Sequence, residues 1–249
     1  MIGGVGADDP YYTTLLQPAL EKSGVDTGSI EESVTAQTGS ASIIVEEGSG
    51  ENRILVVPGA NHSGLMGDVD GIVRVTQRSE VVVLQGEIPR ETTVGIPLSA
   101  LRGTAVLIMN ETEVVQMARS IAGLPVPGDV CVDDDQFDPA DFAGKFHEMA
   151  GVEVVLITLG AKGVYFSTRA GKCGTVTGVK VAQVVDTTAA GDTFVGYFST
   201  AVARFLATGK GLDEFEEVEQ AVSVANAAAA MCVQRRGAMQ SIPFAYDME

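Results

Sequence analysis

The sequence has 249 residues, of which 45% are hydrophobic and 20% charged, enough apolar material to bury the core of one domain. Its formal net charge of −17 argues against a nucleic-acid partner, because a phosphate backbone would be repelled. The three widely spaced cysteines, Cys131, Cys173 and Cys232, disfavour a disulfide framework or a zinc site and are typical of a reducing compartment.

No apolar run is long enough to span a membrane, and the sequence does not open with the pattern of a signal peptide. We therefore expect a soluble protein of the cytoplasm, with the nucleus as a further location. We expect no membrane or nucleic-acid partner.

The first quarter of the chain predicts a βα unit followed by a β-hairpin. The pattern of apolar residues predicts a strand at 1–6 and a helix from Tyr12 to Ser23. Strand-like runs at 42–46 and 53–57 flank a turn-rich stretch. We interpret residues 34–57 as a β-hairpin element.

The rest of the chain predicts buried strands that alternate with helices. Short, mostly apolar runs are typical of parallel strands buried on both faces, and they lie at Val81–Gln85, Val106–Met109 and Val154–Thr158. Helical patterns follow at Thr112–Ile121, Pro139–Ala150, Asp192–Ala207 and Asp213–Val233. A polar or glycine-containing turn follows each strand, so the strand ends line the edge where open α/β sheets bind ligands. We predict an α/β fold with a mainly parallel sheet.

The segment DTTAAGDTF at 186–194 carries the most chemical information. Small residues lie between Asp186 and Asp192 and lead into an apolar helix pattern, so the segment predicts a turn that opens a helix. The free N–H groups at such a helix start bind anions, and Gly191 lets a phosphate approach the backbone. Asp192 could then accept a proton from a hydroxyl that attacks the phosphate, as in a small-molecule kinase. Taken alone, an acid in the first helical turn also fits simple stabilisation of the helix dipole.

Other polar residues give weaker indications. His62 and His147 stand alone, and we assign neither a catalytic role. The run 133–135 of three aspartates predicts a solvated acidic turn rather than a metal site. Asn226 is the one polar residue in the helical run ANAAAAM, where it is either a satisfied core amide or a ligand contact.

Five segments, in this order, resemble the ribokinase branch of the PfkB carbohydrate kinase family. They are PGANHSG at 58–64, MNETE at 109–113, ITLGAKGV at 157–164, DTTAAGDTF at 186–194 and ANAAAAMCVQRRGAMQSIP at 225–243. The resemblance covers nearly the whole chain. It implies a ribokinase-like three-layer α/β sandwich, one domain over 1–249, and a lid role for the hairpin at 34–57.

The resemblance also implies an activity, the ATP-dependent phosphorylation of D-ribose to D-ribose 5-phosphate. Asp192 matches the general base that deprotonates the sugar hydroxyl, and Ala190 and Gly191 match the anion hole that neutralises charge on the transferred phosphoryl group. Glu87 matches an acid near the sugar, with a solvated turn acid as the alternative. Asn61 matches a family motif on the stretch after the lid.

The cofactors that the resemblance implies are ATP, Mg²⁺ and K⁺. Glu113 would hold Mg²⁺ through water, although Asn110 and Glu113 also have the spacing of a capping box. The stretch 158–163 would hold the nucleotide, with an ordinary strand exit as the alternative. The residues matching the nucleotide site are Asn110, Thr158, Leu159, Gly160, Ala161, Lys162, Gly163, Gly191, Asp192 and Asn226.

A monovalent cation, K⁺, would lie beside the anion hole, held by side-chain oxygens of some residues and backbone carbonyls of others. The matching positions are Asp186, Thr188, Cys232, Arg235, Gly237 and Ser241. The alternative for Asp186 is an ion pair with Arg235 or Arg236.

Two features of the family have no counterpart in the sequence. The family opens with a strand whose Asn/Asp pair grips the sugar, followed by a Gly-Gly motif, and a βα unit expected near 98–104 is also absent. We therefore expect little ribose phosphorylation from these 249 residues alone. The alternatives are a non-catalytic nucleotide-binding remnant and a kinase for another sugar or a nucleoside. The expected partners are ribose, ATP and a second copy of the chain in a homodimer formed through the lid hairpin.

Overall fold

The structure is a computed structural model, and it describes residues 1–63, 81, 83, 104–120 and 137–248. The chain divides into two compact units. The first contains Met1–Ile44 and Arg53–Thr93, and the second contains Val45–Asn52 and Val94–Glu249. The prediction of a single domain over 1–249 stays a prediction.

The first unit begins with the predicted strand. Strand β1 (Ile2–Gly6) pairs in parallel with β2 (Ser29–Ser33). Between them, a π-helical turn (Tyr12–Leu16) continues into helix α1 (Gln17–Lys22), close to the predicted bounds. Pro18 lies in the first turn of α1.

The predicted hairpin is confirmed. Strands β3 (Ser40–Val45) and β4 (Asn52–Val57) pair with each other, and the Glu46 N–H donates to the Glu51 carbonyl at 2.8 Å across their turn. The short helix α2 (Ala60–Ser63) follows. The strands carry exposed apolar side chains, while residues 45–52 at the tip belong to the second unit.

The second unit contains a four-stranded sheet in the order β5-β6-β7-β8. Strands β5 (Val106–Asn110) and β6 (Val154–Thr158) are parallel and match the predicted strands. Strands β7 (Gly163–Thr168) and β8 (Cys173–Thr177) form an antiparallel hairpin that was not predicted from the sequence.

Two helices cover this sheet, α3 (Glu111–Ser120) and α4 (Pro139–Ala150). Helix α4 has the predicted bounds because Asp138 caps its start, accepting a hydrogen bond from the Ala140 N–H at 2.9 Å, and Gly151 ends it in the left-handed conformation. The apolar faces of these helices and strands form one core, made of Met109, Val114, Val115, Ala118, Phe142, Ala143, Phe146, Ala150, Val152, Val155 and Ile157.

Two further helices, α5 (Ala190–Leu206) and α6 (Val218–Cys232), pack against each other. The predicted start of the last helix at Asp213 is wrong by five residues. A 3₁₀ turn (Leu212–Glu214) comes first, and Phe215 has a non-helical ψ of 71°. Phe215 leaves the helical path because its buried ring packs 4.7 Å from the ring centre of Phe205.

Several predictions fall outside the described residues. They concern most of Val81–Gln85, Glu87, the missing unit near 98–104, Cys131 and the acidic run 133–135. Within the described part, no helix is both long and apolar enough to cross a membrane.

Candidate functional site

Helix α5 begins at a backbone turn that leaves N–H groups free. Ala189 precedes the helix with φ at 63°, an unusual conformation for a residue with a side chain, and no side chain caps the helix. The Ala190 N–H donates to Thr187 at 3.3 Å, and the Thr193 N–H donates to Ala189 at 2.9 Å. The N–H groups of Gly191 and Asp192 have no protein acceptor among the described residues. They are therefore available to an anion.

The space beside Gly191 is open. A Cβ at this position would meet no atom within 4 Å, so packing within the described residues does not require glycine there. Asp192 is exposed in the same helical turn. Ala190, Gly191 and Asp192 lie together at the predicted helix start, with a carboxylate beside free N–H groups. The Ala190 N–H, which was predicted for the anion hole, is instead bonded to the Thr187 carbonyl, and among the described residues the Asp192 N–H is free. The roles of these residues toward a phosphoryl group stay predictions.

Asp186 anchors the turn that leads to this helix. Its two carboxylate oxygens accept hydrogen bonds from the N–H of Thr188 at 2.9 Å and from the N–H of Gly237 at 3.0 Å. Burial raises the pKa of Asp186, but the hydrogen bonds from Thr188 and Gly237 and the charge of Arg236 outweigh burial and lower the pKa below its ordinary value. Asp186 is therefore a buried, charged acceptor.

The other residues predicted around a monovalent cation lie beside Asp186. The Cys232 thiol donates to the Thr188 carbonyl at 3.5 Å, and its sulfur lies 3.1 Å from the Ser241 hydroxyl. Arg235 instead pairs with Asp247 at 3.2 Å. Among the described residues Asp186 forms no ion pair with either Arg235 or Arg236, so the alternative of an Asp186–arginine bridge is wrong there.

The donor set at this cluster is one carboxylate with hydroxyl and carbonyl oxygens. The described part of the chain contains no group of three or more His, Cys, Asp or Glu side chains arranged for a metal. A single carboxylate with neutral oxygens fits a weakly demanding monovalent ion better than a divalent one.

The candidate nucleotide residues lie along one edge of the sheet. Asn110 and Thr158 are register partners at the carboxyl ends of the parallel strands β5 and β6. The Asn110 N–H donates to the Glu113 carboxylate, and the Glu113 N–H donates to the Asn110 side chain, both at 2.8 Å. The capping-box interpretation is thus confirmed. The roles of these two residues toward nucleotide and Mg²⁺ stay predictions.

The stretch 158–163 forms a tight loop between β6 and β7. The Leu159 N–H donates to the Gly163 carbonyl at 2.8 Å, and a Cβ at Gly163 would overlap the Val176 carbonyl. Gly163 is therefore required by the β7–β8 hairpin itself. Gly160 differs, because it has a φ of 55° and open space where its side chain would be.

Asn226 links helix α6 to this loop. Its side-chain amide donates to the Thr177 carbonyl at 2.9 Å, and Thr177 is the register partner of Gly163. The core-amide interpretation is therefore confirmed, and a ligand role for Asn226 stays a prediction. His147 is likewise satisfied locally, by the Val152 carbonyl at 2.7 Å and the Ser167 hydroxyl at 2.9 Å.

Sequence reasoning missed the contact between the hairpin tip and the turn before α5. The Asn52 side chain donates to the Thr188 hydroxyl at 3.0 Å. Nothing local in the sequence points to this pair. Asn61 has a structural partner of its own in the first unit, accepting from the Gly4 N–H at 3.3 Å. Glu87 lies outside the described residues.

Comparison with known proteins gives consistent matches over the whole chain. The model of the pfkB family of carbohydrate kinases matches residues 89–245. A ribokinase of Schizosaccharomyces pombe is 31% identical over 262 residues, covering 100% of this chain and 78% of the relative.

Solved structures agree with this match. The ribokinase of Thermotoga maritima superposes with a TM-score of 0.72 at 31% identity, covering 99% of this chain and 78% of the other. An Arabidopsis thaliana ribokinase solved with ribose and ATP has a TM-score of 0.72 at 25% identity, covering 99% and 79%. The predicted ribokinase-like α/β fold is confirmed.

Proposed function

The chain belongs to the PfkB family of carbohydrate kinases, and we propose that it transfers the γ-phosphoryl group of ATP to D-ribose, giving D-ribose 5-phosphate, at the low rate expected of these 249 residues without the family's sugar-gripping motifs. The choice of ribose rests on similarity to ribokinases, one of which was solved with ribose and ATP.

The observation that carries the proposal is the start of helix α5. The N–H groups of Gly191 and Asp192 are free to bind an anion, and the Asp192 carboxylate lies exposed in the same turn. In the proposed reaction the sugar hydroxyl attacks the γ-phosphorus in line, and Asp192 takes the hydroxyl proton. The P–O bond to ADP breaks as the new P–O bond forms, and the N–H groups stabilise charge on the transferred group.

The proposed cofactors follow from the neighbouring residues. The edge formed by Asn110, Thr158 and the loop to Gly163 would hold ATP, and Glu113 would reach Mg²⁺ through water while its carboxylate caps α3. Mg²⁺ would neutralise the phosphates. K⁺ would bind next to Asp186, where it would order the turn before α5.

Two alternatives differ from this proposal in measurable ways. A nucleotide-binding protein without catalysis would bind ATP·Mg²⁺ and release no sugar-dependent ADP. A kinase for another sugar or a nucleoside would release ADP with that acceptor and not with ribose. Measuring ADP release with ribose, with other acceptors and without any acceptor distinguishes the three hypotheses. Subtracting the rate without acceptor from the rate with acceptor detects even slow phosphoryl transfer.

The test of the base is Asp192→Asn with Glu219→Gln as a matched control. Glu219 is an exposed acid in the first turn of α6, so both substitutions remove a charge from a helix start. If Asp192 is the base, its loss lowers the kcat of ribose phosphorylation about 10²–10⁴-fold with little change in ATP binding. The control should keep its kcat. If both substitutions lower kcat by the same small factor, Asp192 is not the general base.

Nucleotide binding has its own test, which does not depend on turnover. ATP·Mg²⁺ should raise the melting temperature, because it binds the folded chain and not the unfolded one. An unchanged melting temperature at millimolar nucleotide would contradict both the proposed kinase activity and the alternative of a nucleotide-binding protein without catalysis.

A further inference from the structure

The tip of the β3–β4 hairpin, residues 45–52, contacts the turn that precedes α5, and the proposed reaction does not yet use this contact. We propose that Asn52 is a positioning residue, which holds the turn at 186–190 so that the N–H groups of Gly191 and Asp192, at the start of α5, face the transferred phosphoryl group. This inference rests on the proposed function and adds a residue far from it in sequence.

The first support is a chain of hydrogen bonds from Asn52 to Asp186. The Asn52 amide donates to the Thr188 hydroxyl at 3.0 Å. The Thr188 N–H in turn donates to the Asp186 carboxylate at 2.9 Å, so Thr188 is bonded both to Asn52 and to Asp186. Because Asp186 also accepts from Gly237, Asn52 completes the set of contacts that fixes Thr188.

The second support is an independent tie at the neighbouring residue. The Thr187 N–H donates to the Gly50 carbonyl at 3.0 Å, and its hydroxyl lies 3.3 Å from the same oxygen. Gly50 is buried with a φ of 72°, and a Cβ there would lie 2.7 Å from the Val184 side chain. A glycine is therefore needed for the tip to reach the turn.

The position of the turn explains why it needs such support. Ala189 follows Thr188 directly and has the left-handed conformation, which a residue with a Cβ adopts only when its surroundings impose it. The N–H groups of Gly191 and Asp192 come next. If Thr188 loses an anchor, Ala189 can relax, and the donors lose the orientation that stabilises the transition state.

The experiment compares three variants at the tip. Asn52→Ala removes the donor, and Asn52→Asp keeps the size but replaces the donor with a charge near Asp186. Ser49→Ala is the control, since among the described residues Ser49 bonds only to Glu46 and Glu51 within the tip. Both Asn52 variants should lower kcat about 10-fold or more, with the KM for ATP changed less than about threefold. Ser49→Ala should behave as the parent chain.

A second measurement reports directly on the backbone of the turn and is read together with kcat. Hydrogen exchange of the amides at 186–193 should become about 10-fold faster in both Asn52 variants, whereas exchange in β6 stays unchanged. Uniformly faster exchange with an unchanged kcat would show a merely structural role and overturn the proposal. Unchanged exchange at 186–193 would also overturn it. Absence of any acceptor-dependent ADP release in the parent chain would refute the proposed function alone, because the exchange result stands apart from it.

Discussion

Gly191 and Gly196 are two glycines of the same helix with different expected roles. A Cβ at either position would meet no atom within 4 Å, so neither is required by the packing of the described residues. Both lie on the exposed side of α5. Only Gly191 lies at the helix start, where a phosphate would approach the backbone.

We therefore predict that Gly191→Ala lowers kcat about 10- to 100-fold because the added methyl group displaces the phosphoryl group from its N–H donors. Gly196→Ala should leave kcat unchanged and raise the free energy of unfolding by about 0.5–1 kcal/mol. Urea unfolding shows whether each variant is folded, and steady-state kinetics gives kcat. A fully active Gly191→Ala variant would contradict an anion site at this position.

Asp186 gives a prediction about pH. Its pKa is lowered in the folded chain, so its charged form contributes stability above the ordinary carboxyl pKa of about 4, and this contribution is lost as the pH falls through the lowered value. Asp186→Asn should cost about 1–3 kcal/mol near neutral pH, because two N–H donors lose a charged acceptor. The difference from the parent chain should shrink in more acidic solution. Urea unfolding between neutral and acidic pH measures it, and a pH-independent difference would contradict the assigned contacts.

For single residues, the sequence predicts hydrogen bonds between neighbours along the chain. Asn110 and Glu113 are three residues apart, and their reciprocal capping bonds follow from that spacing. Asn52 and Thr188 are separated by 136 residues, so no spacing rule connects them. The contact appears only when the fold brings the hairpin tip to the turn.

The same distinction holds for whole elements. Helix α4 could be predicted to the residue, since Asp138, Pro139 and Gly151 mark its ends through local backbone chemistry. The start of α6 could not be predicted, because Phe215 packs against the rings of Phe198 and Phe205 and therefore does not adopt a helical conformation. Tertiary packing here overrides a local helix pattern.

The β7–β8 hairpin was missed for a related reason. Its strands are short, and its closest backbone approach depends on Gly163 and on Gly178, whose added Cβ would overlap the Ala161 carbonyl. In the sequence these glycines have the pattern that is typical of an ordinary loop. Their structural necessity becomes visible only where two backbone segments meet.

The turn at 186–190 is the element on which a bound K⁺ would act. If K⁺ binds beside Asp186, it orders this turn and hence the start of α5, so replacing K⁺ with Na⁺ or a bulky organic cation at constant ionic strength should lower kcat. The melting temperature should fall with it, since the ion binds the folded chain. Kinetics and melting curves in matched chloride salts test this, with Asp186→Asn as the variant that should no longer respond. Identical values in all salts would exclude the cation site.

For the molecule as a whole, the fold class could be predicted because the order and spacing of five motifs match one family. The solved ribokinase structures confirm that class. The division into two compact units could not be read from the motifs, since residues 45–52 belong to one unit and the strands beside them mainly to the other. The alternation of apolar and polar residues predicts strands, but it does not predict to which of the two compact units each residue belongs.

The outer surface of the hairpin leads to a prediction about assembly. Ile44 and Leu55 are each 69% exposed and Val57 is 57% exposed, a grouping of large apolar side chains that is uncommon on a protein that stays monomeric. Since two copies of the same strand pair can cover each other's apolar residues, we expect a homodimer formed through β3 and β4. Sedimentation velocity over a range of concentrations should show a dimer that dissociates on dilution.

Leu55→Lys should shift this equilibrium toward monomer, because association would bury an unpaired charge. Val224→Lys is the matched control, since Val224 is an exposed apolar residue on α6 and not on the hairpin. The free energy of unfolding of the monomer should change little in either variant, as both side chains lie at the surface. A parent chain that stays monomeric at all concentrations, or equal weakening by both lysines, would show that the apolar face of the hairpin is not the dimer interface.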